Sequence, residues 1–231
     1  MTMEKVIVMT ACRRPRYTWE VLAALSRCEG ISDYIFMPFV EPGNDEVWEL
    51  CSSFGASRLT VASRNDYQHG CNANTAQAFT RGFARSDFVI FIEDDVIVGR
   101  DYLHFMEWAA KRYIEDKNVM AVSGYNRDDG RDEPYRVVRR VNQFRSWGMG
   151  TWIDRWPLFA CAMQKLRGHI KVWDESVSLY YPDILTVNPL LSRCQNIGAD
   201  DSTFVVWQQY VAQHYTPYWA SSLPPGNYRE S

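Results

Sequence analysis

Three consecutive carboxylates, Glu93, Asp94 and Asp95, follow directly on five apolar residues, Phe88 to Ile92. Like charges at such spacing repel, and they persist beside an apolar strand where a cation or a proton neutralises them. An all-oxygen donor set suits a hard divalent cation. Magnesium or manganese takes one or two carboxylates from a protein, keeps several waters and completes its shell with phosphate oxygens. Asp95, last in the row, is the residue expected to touch the metal. A further acid, Asp174, follows Trp173 and lies far from the row in sequence. A carboxylate held apart from the metal acids is a candidate general base, with Asp183 and Asp200 as rivals.

These residues need a scaffold, and the apolar pattern supplies one. "KVIVMTA" (Lys5–Ala11), "YIFMPFVE" (Tyr34–Glu41), "RLTVAS" (Arg58–Ser63), "DFVIFIE" (Asp87–Glu93) and "NVMAVSGYN" (Asn118–Asn126) read as strands. Helical patterns alternate with the first of them, over Trp19–Cys28, Val47–Phe54 and Thr75–Ala84. Short apolar strands alternating with helices predict an α/β layered sheet, and ligands in such sheets sit outside the carboxyl ends of the strands. Glu41, Arg64 and the acidic row all fall at such ends. The second half differs: "YRVVRRVNQF" reads as a β excursion, and "SWGMGTWIDRW" is rich in Gly and Trp before it becomes a helix. The stretch from Val177 to Phe204 reads as irregular, Phe204–Tyr215 as a helix, and the Pro- and Gly-containing end as a mobile tail. The expectation is one domain over 1–231, with a nucleotide-binding half (1–125), an acceptor half (126–219) and a tail (220–231).

Bulk properties narrow the field. With 231 residues, 46% hydrophobic, the chain has the length and apolar content for a substantial core. A net charge of −3 leaves no overall electrostatic footprint for nucleic acid or an anionic membrane. No apolar run approaches membrane-spanning length, and the first residues do not read as a signal peptide. The six cysteines are scattered without metal-ligand spacing, which predicts reduced thiols and a cytoplasmic protein. The four histidines, His69, His104, His169 and His214, are unclustered.

The stretch from "VIFIEDDVIVG" to "NVMAVSGYN" resembles the DXD region of GT-A glycosyltransferases, especially the N-acetylglucosaminyltransferase I type and its small bacterial and phage relatives. The resemblance runs from about Val6 to Thr203. It implies a three-layer, Rossmann-like nucleotide-sugar fold around a mixed, mostly parallel sheet. It also implies a UDP-sugar donor, Mn2+ or Mg2+ as cofactor, and a glycan, a glycoconjugate or a modified DNA base as acceptor. On that pattern Cys12 and Arg14 meet uracil, Glu41 stands where an acid reads the base, and Asn74 contacts the donor phosphates. Asp94 faces the ribose and Glu93 the sugar. Trp147, in the Trp–Gly segment, lines the sugar pocket, Trp173 and Asp174 hold the acceptor and supply the base, and Gly198 belongs to a loop that closes over the donor. Each residue has a plainer reading beside this one. Asn74 fits an N-cap for Thr75–Ala84, and the tryptophans fit a core.

Two other functions compete. A nucleotidyltransferase would want a Gly-rich phosphate loop after the first strand, and "TACRRPRYT" contains no glycine. A non-catalytic nucleotide-sugar-binding module would need no metal on the acids. Metal-dependent, inverting transfer from a UDP-sugar to a hydroxyl is the expectation carried forward.

Overall fold

The computed structural model describes residues 4–141, 144–165, 173–198 and 219–230. Its first half runs β1 (Lys5–Ala11), α1 (Pro15–Ser26), β2 (Tyr34–Val40), α2 (Asp45–Ser52), β3 (Leu59–Thr60), β4 (Ser63–Arg64) and α3 (Cys71–Phe83). Next come β5 (Phe88–Glu93), β6 (Val96–Val98), α4 (Tyr102–Arg112), β7 (Val119–Ser123) and β8 (Arg136–Val141). The remainder is β9 (Met149–Trp152), α5 (Trp156–Gln164), α6 (Trp173–Tyr180), β10 (Leu185–Pro189), β11 (Cys194–Asn196) and β12 (Arg229–Glu230).

Residues on successive strand positions point to opposite faces, and β1 shows how that builds three layers. Ile7, Met9 and Ala11 pack with Val21, Leu22 and Leu25 of α1 and with Leu103 and Met106 of α4. Val6 and Val8 pack on the other face with Phe79 of α3, Phe159 of α5 and Trp173 of α6. Ten strands form the central sheet in the order β12-β8-β10-β7-β9-β5-β1-β2-β3, with β4 also on β2. The pairings of β2–β1–β5 are parallel, and β9 enters antiparallel to both β5 and β7. The fold is α/β with a mixed, mostly parallel sheet, as expected.

Several local expectations change. The third strand is reduced to two short pairings, β3 and β4, and Pro38 accounts for the gap. Phe36 O and Val40 O accept from Val61 and Asn65 on that side. Pro38, midway between them, faces the same neighbour with no N–H to donate. The acidic row leads into β6, and α4 follows it. Helix α3 begins at Cys71 after Gly70, whose φ of +80° suits glycine, so Asn74 lies inside the helix and does not cap it. The stretch read as irregular contains the second half of α6 and all of β10 and β11. The tail is tied down: β12 pairs with β8, and the Tyr228 hydroxyl donates to Asp101 Oδ2 at 2.7 Å. The helix expected over Phe204–Tyr215 lies outside the described residues. Among the described residues no helix is long and apolar enough to cross a membrane.

Candidate active site

Register brings the acids to their neighbours. Thr10 of β1 pairs with Glu93 of β5, so the chain leaving β1 runs beside Asp94 and Asp95. The Cys12 N–H donates to Asp94 Oδ2 at 3.1 Å. Arg14, immediately before α1, donates from Nη1 to Asp95 Oδ2 at 2.7 Å and from Nη2 to Asp94 Oδ1. On the other side β6 pairs with β11, Val96 opposite Asn196, and Asn196 Nδ2 donates to Asp95 Oδ1 at 3.3 Å. Ile197 N–H meets Asp95 O at 2.8 Å, and Gly198 N–H meets Asn196 Oδ1 at 2.8 Å. A Cβ on Gly198 would run into Asp95 Oδ2, so the backbone passes this carboxylate at a distance only glycine permits.

Glu93 faces a different neighbour. Because β9 pairs with β5, the residues leading into β9 pass alongside it, and Ser146 Oγ lies 3.5 Å from Glu93 Oε2. The same hydroxyl lies 3.3 Å from Asp174 Oδ2, in the first turn of α6. Burial, reinforced by Asp95, Asp174 and Asp94, pushes the Glu93 carboxyl well above its usual range. Burial also raises Asp174, against the Glu175 N–H, Arg145 and Ser146. Asp94 is raised to about 6 by burial, with Arg14 pulling the other way.

Glu41 lies one residue beyond β2, two strands from β5. It is 3% exposed, its Oε2 accepts the His69 N–H at 2.9 Å, and its Oε1 has no partner. A buried carboxylate oxygen with nothing to accept from is costly, which marks it as awaiting a donor.

Other expected residues serve the scaffold. Asn74 Nδ2 donates to Phe39 O at 3.0 Å while its Oδ1 accepts from Asn65 at 3.0 Å. Its carboxamide thus clips α3 to β2. Trp173 is 1% exposed and packs edge-on against Phe79, Phe91, Phe144 and Phe159. It is core and presents no stacking face to a sugar; its burial anchors the start of α6 and so places Asp174. Residues 166–172 lie outside the described residues, and Trp173 opens α6. Trp147, also buried, sets its ring at 80° to Tyr125 with centroids 4.7 Å apart. Arg64 turns to Asp45 and Trp48, away from the acids. Asp183 is exposed on the turn before β10, and Asp200 lies outside the described residues.

Ser146 and Asn196 are the site residues that sequence reasoning did not single out. Asn196 ends β11 and lies two residues before Gly198, a faint signal. Ser146 offers none, because only the β9–β5 register brings it to Glu93.

The donor set suits a hard cation. Asp94 and Asp95 converge on a single positive charge, the Arg14 guanidinium, and present only oxygen. Among the described residues no group of three or more His, Cys, Asp or Glu is placed to hold a metal by itself.

No protein-family model matches the chain. Solved structures with a related fold are glycosyltransferases. The crystal structure of S. aureus TarS 1-349 in complex with UDP-GlcNAc aligns over 97% of this chain and 60% of its own, with TM-score 0.55 and 12% identity. A second S. aureus TarS structure aligns over 82% of this chain and 35% of its own, with TM-score 0.54 and 11% identity. Mannosyltransferase PcManGT from Pyrobaculum calidifontis, in complex with GDP-Man and Mn2+, aligns over 84% of this chain and 59% of its own, with TM-score 0.51 and 13% identity. The fold is that of GT-A-type glycosyltransferases. The chain spans between about a third and three fifths of the length of these structures.

Proposed function

We propose that the chain is a divalent-cation-dependent glycosyltransferase that moves a sugar from a UDP-sugar to an acceptor hydroxyl with inversion. The observation that carries this reading is the row Glu93–Asp94–Asp95 at the carboxyl end of a central parallel strand, beside the loop that follows β1. Complexes of similar folds with UDP-GlcNAc and with GDP-Man and Mn2+ support it.

Glu41 favours uracil as the base. Its Oε2 is taken by His69, which leaves one acceptor oxygen, a match for the single ring N–H of uracil. Asp95 would hold Mn2+ or Mg2+, with Asp94 and the Cys12 backbone beside the ribose. The cation, when bound, neutralises charge developing on the departing diphosphate. Glu93 faces the sugar. Asp174, raised by burial and steadied by Ser146, takes the acceptor proton from the face opposite the leaving group. One displacement by a hydroxyl activated in this way inverts the anomeric carbon.

The test is a screen of UDP-sugars and GDP-mannose for nucleotide release, with and without manganese, followed by mass spectrometry of acceptor mixtures. Manganese-dependent release from a UDP-sugar is expected. Release from none of these donors would defeat the reading.

A further inference from the structure

The cluster that would receive the cation already holds a positive charge. One planar guanidinium spans both aspartates, Arg14 Nη1 on Asp95 Oδ2 at 2.7 Å and Nη2 on Asp94 Oδ1. The other carboxylate oxygens are occupied too, Asp94 Oδ2 by the Cys12 N–H and Asp95 Oδ1 by Asn196. The aspartate side chains are 5% and 13% exposed, so an uncompensated double charge here would be costly. Arginine cannot yield by losing its proton. Freeing Asp95 Oδ2 for a cation therefore requires the Arg14 guanidinium and this carboxylate to separate.

We propose that Arg14 is a built-in counter-ion: it competes with the divalent cation for Asp95 and, once displaced, carries its charge to the diphosphate of the donor. This deepens the metal-dependent reading above and rests on it. The position suits such a move. Arg14 sits at the entrance to α1 (φ −115°, ψ 74°), and its side chain is 21% exposed, the most open of the three partners. The Tyr17 ring lies 5.7 Å from the guanidinium and offers a second resting face. A planar fork of N–H donors also matches a phosphate as well as it matches a carboxylate.

Two consequences follow. Cation alone binds weakly, because the competent state, with Arg14 lifted away, is a minor one. If Arg14 is paired ~90–99% of the time, apparent affinity falls by roughly ten- to a hundredfold. Cation and nucleoside diphosphate then bind cooperatively, since the diphosphate gives the displaced guanidinium a new partner.

Manganese binding, followed by calorimetry and by the Mn2+ electron paramagnetic resonance signal, tests this without any turnover. The wild-type chain and Arg14→Gln are titrated with and without UDP, folding being checked by circular dichroism. Arg14→Gln is expected to bind Mn2+ about tenfold or more tightly without UDP and to lose much of the cooperativity between Mn2+ and UDP. Arg14→Lys, which keeps the charge but loses the fork, is expected to fall between the two, and it serves alone where the glutamine variant does not fold. Unchanged or weaker Mn2+ binding in the folded variants, with wild-type binding intact, overturns the role of Arg14 alone. Failure of all three proteins to bind Mn2+, with or without UDP, overturns it together with the metal reading.

Discussion

The Ser146 hydroxyl lies 3.3 Å from Asp174 Oδ2, joining the loop before β9 to the first turn of α6. That contact ties the candidate base to the carboxyl end of β5, which carries Glu93. Asp174→Asn keeps shape and removes basicity, so turnover is expected to fall roughly a hundredfold or more while metal-dependent UDP binding persists. Asp183→Asn, on an exposed turn, is expected to cost far less. Ser146→Ala removes a donor that stabilises the Asp174 carboxylate, so the acid limb of the kcat/KM profile is expected to move to higher pH. Initial rates from pH 5 to 9 read both effects; an unmoved limb would show that Ser146 does not act on the base.

Gly198 allows the backbone to pass Asp95 where a side chain would collide with its carboxylate. Gly198→Ala is therefore expected to weaken manganese and UDP binding by about tenfold or more, because Asp95 must rotate or the loop must retreat. Calorimetry reads the affinity, and a thermal melt shows whether the fold is spared. Wild-type affinity in the alanine variant would mean that the loop relaxes freely.

The acidic row has a cost in the free protein. Glu93 is raised by burial and by its neighbours, so its native pKa exceeds its unfolded one and the native state holds the proton more tightly. Stability from this group is present at low pH and is lost as pH rises through the native value. Glu93→Gln should melt at a higher temperature than wild type at pH 8 in a chelator, and the difference should shrink as pH falls. A wild type that melts higher than the variant at pH 8 would contradict this.

Asp101 and Arg193, both with 0% side-chain exposure, pair at 2.8 Å, and Tyr228 donates to the same carboxylate. Removing one partner strands a buried charge. Asp101→Asn and Arg193→Met are each expected to cost about 3–5 kcal/mol in urea unfolding. Losses below about 1 kcal/mol would show that water or a rearranged neighbour compensates.

Much of this architecture was legible in the residues. Near-continuous apolar runs gave β1, β2, β5 and β7, because each strand there is buried on both faces. The acidic row was legible because three charges after a buried strand need a compensating partner. Less was readable where tertiary packing overrides local pattern. The row's present partner, Arg14, is remote in sequence and was expected at the base instead. The aromatic character of Trp173 suits a sugar platform and a core equally, and its four phenylalanine neighbours come from α3, β5, α5 and the loop before β9. The short strands β10 and β11 sit among Pro, Asn and Ser, and it is long-range pairing with β8, β7 and β6 that makes them strands.

Calorimetric titration of UDP into the wild-type chain and into Asp95→Asn, each with and without manganese, tests the central claim most directly. Wild type should bind UDP at least tenfold more tightly with manganese than without it, and Asp95→Asn should show no such gain. Equal UDP affinity in all four titrations, or a manganese gain that survives in Asp95→Asn, would contradict the account.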